Sequence, residues 1–176
     1  MTQHVQRDHS IFLIVAMIGF GVMLRILPHP FNFTPIGAMG LYAGLKTRQK
    51  SLAFGLPLIA MFLSDLVLGF HSLQVLVYGC IALNVAAGLW LRAHFSWVKC
   101  GGLVLLCSTL FFMVTNFGVW VFSGMYPHTM SGLLSCFALA IPFFQNAVLG
   151  DFVYTGAFLG LDAIARRWIV SRWVSN

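Results

Sequence analysis

Two apolar runs that meet at a single tight turn make up residues 56–84, LPLIAMFLSDLVLGFHSLQVLVYGCIALN. Each run is long enough to cross most of the ~30 Å hydrocarbon core of a bilayer as a helix. The turn, Gly69-Phe70-His71-Ser72, therefore belongs at one membrane face. Asp65 precedes it by about one and a half helical turns, and Tyr78 and Cys80 lie at similar depth on the way back. A carboxylate inside hydrocarbon is costly enough to face a cavity or a partner. Asp65 is thus read as a site residue, with a helix cap or an ion pair to Arg25 as the structural alternative.

Composition makes the rest of the chain agree. Of 176 residues, 60% are hydrophobic and 8% charged, which excludes a soluble domain. The only acidic residues are four Asp, and the net charge of +6 is better explained by membrane topology than by a nucleic-acid partner. The polar start MTQHVQRDHS leads into a run without a small-residue cleavage site, so this run is expected to stay as a helix rather than leave as a signal peptide.

Six apolar segments follow one another at 10–27, 35–45, 52–70, 73–91, 100–122 and about 133–164. They predict an all-α integral membrane protein with one six-helix domain over 10–165. A polar tail over 1–9 precedes it and a basic one over 166–176 follows. The second segment is half a span, so it requires a short or tilted helix shielded by neighbours. Thr34 is positioned to cap it and Pro35 to occupy its first turn. Gly37, Gly40 and Gly44 share one of its faces as a strip for close packing. The last segment contains Pro142, which predicts a kink or tilt and places Gln145 and Asn146 either on a cavity or in interhelical bonding.

Six spans put nine of the ten basic residues on one side: Arg7, Lys46, Arg48, Lys50, Arg92, Lys99, Arg166, Arg167 and Arg172. The opposite connections, 28–33, 69–72 and 123–132, carry no Lys, Arg, Asp or Glu. The positive-inside rule then makes both termini cytoplasmic. On the uncharged outer side collect His29, Phe31, Asn32, His71 and Tyr126, and beneath them Arg25, Asp65, Tyr78, Cys80 and Asn116. Some of the aromatics belong to an interfacial belt. The mixture of carboxylate, amide and thiol at depth predicts a ligand pocket open to the outside, with Asn146 as a further candidate.

The four cysteines form no CxxC or CxxH pair, which leaves a structural zinc site unsupported and most of them as packing residues. No HExxH, GxSxG or phosphate-binding glycine loop is present. An enzyme acting through Asp65 and His71 is the alternative reading. A structural or regulatory subunit contacting partners through the Gly37/Gly40/Gly44 strip is another.

The succession RILPHPFNFTPIGAMGLYAG at 25–44, LSDLVLGFH at 63–71, FFMVTNFGVW at 111–120 and MYPHTMSGLLSCFALAIPFFQNAVLGDFVYT at 125–155 resembles small bacterial inner-membrane proteins. Those proteins are grouped with the substrate-binding S-components of energy-coupling-factor (ECF) vitamin transporters. The resemblance covers about residues 25–160. It implies six helices, cytoplasmic termini and an outward pocket that captures a vitamin or cofactor precursor for uptake. It also implies an ECF-type energising module as partner, since this chain has no Walker A sequence of its own. The S-component contact Ala-x-x-x-Ala has only a partial counterpart in Ala16-Met17-Ile18-Gly19. One S-component-like subgroup works alone on cobalamin with a cysteine thiolate as axial cobalt ligand. Similarity to it implies cobalamin as the transported ligand and Cys80 as its metal ligand, against Cys80 as a packing residue.

Overall fold

The computed structural model describes residues 16–174, with side chains through residue 165. The protein is all-helical: α1 (Ala16–Ile26), α2 (Ile36–Lys46), α3 (Lys50–Leu68), α4 (Gln74–Ala93), α5 (Trp97–Phe122) and α6 (Met130–Val174). Lys50–Leu68, Gln74–Ala93, Trp97–Phe122 and Met130–Ala165 are long and apolar enough to cross a membrane. Their outward surfaces fit hydrocarbon surroundings. Leu105, Leu106, Met113 and Phe117 on α5 are each about half exposed, and a soluble fold would cover such a surface. The first apolar segment begins outside the described residues, as does the polar tail at 1–9. Helix α6 runs on through the basic segment and carries Pro142 in its interior without interruption.

The shortest complete helix is the centre of the bundle. Helix α2 packs against α3, α4, α5 and α6, and its Ile36, Ala38, Met39, Gly40, Leu41, Ala43, Gly44 and Leu45 are buried. One apolar cluster joins Ile36 and Met39 to Met61 of α3, Ile81 of α4 and Phe158 of α6, with Met17, Ile18 and Val22 of α1 against it. A second joins Leu41 and Leu45 to Leu91 of α4, Val104 of α5 and Leu159 of α6.

At 11 residues α2 is only ~16 Å long; its N-terminal end is buried while its C-terminal end emerges at Lys46, and the unpaired backbone groups at each end need partners. Other helices supply them. At the N-terminus Thr34 makes no cap and Pro35 is itself the cap residue. The Asp151 carboxylate of α6 instead receives the Ala38 N–H and lies against Gly37. At the C-terminus the Arg92 guanidinium of α4 donates to the carbonyls of Leu45 (3.1 Å), Thr47 (2.6 Å) and Gly44. An anion at the positive end and a cation at the negative end both match the helix dipole.

The glycine strip is an internal seam. A Cβ at Gly44 would collide with the Val85 carbonyl, and Gly88 faces the Leu41 carbonyl in the same way, so α2 and α4 meet backbone to backbone. Gly40 meets Asn84 and Ile81, while Gly37 makes room for Asp151. The strip thus lies against helices of the same chain.

Two groups of contacts define the ends of the bundle. Arg25, Asp65 and Tyr78 tie together the end of α1, the end of α3 and the start of α4. At the opposite end Arg92 reaches Thr47 and Lys46 pairs with Asp162 at 2.8 Å. The 69–73 connection can be tight because Gly69 takes φ +94, a region that favours glycine, and its N–H closes on the Asp65 carbonyl.

Candidate functional site

At the Arg25 end a cavity of about 340 Å³ opens between the helices, and each of the six contributes to its wall. The contributing positions follow helical periodicity. Leu73, Val77, Ile81 and Asn84 form one face over the start of α4; Phe111, Thr115 and Val119 repeat at i, i+4 and i+8 on α5; Phe143, Ala147 and Asp151 do so on α6. Arg25, Asn32 and His71 surround the mouth. Gly37, Asn84 and Asp151 form the floor, about 15 Å along α4 from its first residue.

Arg25 is the polar centre of the mouth. Its Nη1 donates to Asp65 Oδ1 at 2.8 Å, and also to the Ser64 hydroxyl. Asp65 is 1% exposed and its other oxygen accepts from Tyr78 OH at 2.9 Å, with Gln74 Nε2 at 3.5 Å. The carboxylate is therefore consumed by its own network. It stands behind Arg25 and does not line the cavity, which is the ion-pair alternative. Tyr78 belongs to the same network. Holding the guanidinium in place is what this network does for the cavity.

Helical azimuth separates the rest. Cys80 falls between the wall residues Val77 and Asn84 along α4, but it is one residue away from Ile81 and so rotated about 100° off the cavity face. Its thiol is buried and outside the wall. In this structure the thiol does not line the cavity and so presents no ligand to a cobalt placed there. The volume also lies near the lower end of the ~300–1,000 Å³ range of ligand sites, small for a corrin macrocycle. Asn146 is displaced from Ala147 in the same manner and is off the wall. Among the mouth residues, His29 turns back on the Leu27 carbonyl, Phe31 packs on Phe143 at 5.7 Å and Tyr126 lies beyond the rim. Arg25, Asn32, His71 and Asn116 are the expected residues that do line it. Asn116 donates Nδ2 to the Phe112 carbonyl at 2.8 Å. His71 reaches the cavity without Asp65 or Cys80, so the three do not assemble there.

The floor was not expected from the sequence. Asp151 Oδ2 accepts from Ser108 Oγ at 2.6 Å, and the Ala38 N–H completes its protein contacts. The signal was the one that pointed to Asp65, a carboxylate within an apolar run. Below the floor a void of about 10 Å³ lies between Asp151, Asn84, Cys107 and Thr155. Thr155 Oγ1 beside it is buried without a hydrogen-bond partner among the described residues. Among the described residues no group of His, Cys, Asp and Glu is arranged to hold a metal.

Comparison with known proteins gives a family and nothing finer. No curated protein and no solved structure matches the chain. Residues 5–172 match the family of unknown function DUF6580, and the chain belongs to that family.

Proposed function

We propose that this protein captures a small solute on the outer side of a bacterial inner membrane and carries it inward. The observation that carries the reading is the 340 Å³ cavity, whose polar mouth and floor are joined by apolar walls, at the end of the bundle where the connections hold no charge. In this reading α1 and α2 complete six spans and both termini are cytoplasmic. Lys46, Arg48, Lys50, Arg92 and Lys99 then lie at the inner face. A vitamin or cofactor precursor of modest size fits such a cavity better than cobalamin does. The likeness to S-components supports an ECF-type module as the energy source, with solitary action as the other arrangement.

Native mass spectrometry of the protein purified from membranes tests the reading. A bound metabolite that disappears in Asn116→Leu or Asn84→Leu is the expected result. Turnover of added solute would replace uptake by catalysis. A stoichiometric partner chain with no metabolite would replace it by a subunit role.

A further inference from the structure

Asp151 is the titratable group on the cavity wall that no cation among the described residues pairs with. The ion pairs among the described residues are Arg25–Asp65 and Lys46–Asp162. Arg25 also lines the cavity, but its charge is already offset by Asp65 at 2.8 Å. Among the described residues, Asp151 is therefore the wall carboxyl with no cationic partner, and it lies at the cavity floor.

That carboxylate also has capacity left. An ionised Asp offers about four acceptor sites. Ser108 Oγ and the Ala38 N–H use two of them. The remaining sites are available to donors in the cavity, beside the Asn84 amide. Phe111 and Phe143 give the walls above it an aromatic, apolar character.

We propose that the cavity selects a small solute bearing a cationic nitrogen, an ammonium or amidinium group, seated against Asp151 with its apolar part on Phe111 and Phe143. The inference rests on the uptake reading only in taking the cavity as a ligand site. A planar amidinium can present two N–H donors to one carboxylate, the geometry that gives such pairs strength and direction. The cap that Asp151 places on α2 also makes the seated cation a contact to the central helix.

Three probes of one shape and different charge test this: benzamidine, benzamide and benzoate, titrated into the full chain in lipid nanodiscs. Benzamidine is expected to bind at least about tenfold more tightly than benzamide, the scale of one charge-assisted hydrogen bond, with benzoate weakest. Asp151→Asn should abolish the preference, because Asn keeps an oxygen for Ser108 but loses the charge. Equal affinity for the three probes, or a cation preference that survives Asp151→Asn, would overturn the proposal. A preference for benzoate would overturn it in favour of Arg25. If the variant does not fold, the charge series on the unmodified protein decides alone, and failure of benzamidine to bind also counts against the proposal. The uptake reading fails separately, when no solute accompanies the purified protein.

Discussion

Arg25 and Asp65 are coupled through one short contact, and the pair is buried on the Asp side. Breaking a buried pair from one side leaves an uncompensated charge, so Asp65→Asn is expected to cost about 3–5 kcal/mol. Adding Arg25→Gln should recover a substantial part. Chemical denaturation in mild detergent gives the four stabilities of this cycle, and additivity within ~0.5 kcal/mol would contradict the coupling. Tyr78→Phe should cost less, about 1–3 kcal/mol, because it removes one donor and leaves the ion pair. Thr155 behaves oppositely. Its buried hydroxyl has no partner among the described residues, so Thr155→Val is expected to be neutral or stabilising by up to ~1 kcal/mol, and a clear loss would reveal a hidden bond.

Much at the scale of the element was legible in advance. The six segments are close to the observed helices, and the glycine strip is the packing seam it was read as. What was not legible is azimuth and tertiary capping. Depth along a helix follows from residue count, which is what located Tyr78 and Cys80 along α4. Which face looks inward depends on how neighbours rotate the helix, so Val77 and Ile81 line the cavity instead. The caps of α2 come from Asp151 and Arg92, more than 40 residues away in sequence, and no local motif announces them. The close approach of α2 and α4 makes its own prediction. Gly44→Ala forces a methyl into backbone and should cost at least about 1–3 kcal/mol. Gly79→Ala on the same helix pair meets nothing within 4 Å and should be tolerated. Thermal aggregation of the two variants in parallel checks the contrast, and equal behaviour would argue against the seam.

For the molecule as a whole, the separation of charge along the sequence is the feature on which the proposed orientation rests. Arg25 is the basic residue that departs from it, and its pairing with Asp65 removes the net charge that would otherwise sit at the cavity mouth. The positive-inside rule counts Lys and Arg, and one Arg at this end against nine basic residues assigned to the other leaves the bias intact. Ser72 and Ser131 lie in or beside the uncharged connections and Ser51 beside Lys50, and all three are exposed, so a reactive group at any of them reports sidedness rather than burial. Cys80, Cys100 and Cys136 are buried and Cys107 is half-buried, and replacing all four by Ser or Ala gives a background in which only an introduced thiol reports. In that background Ser72→Cys and Ser131→Cys should react with a membrane-impermeant maleimide added to intact cells. Ser51→Cys should react only after lysis. The reverse pattern would turn the cavity mouth toward the cytoplasm and end the uptake reading, because a solute could then reach Asn84 and Asp151 only from inside.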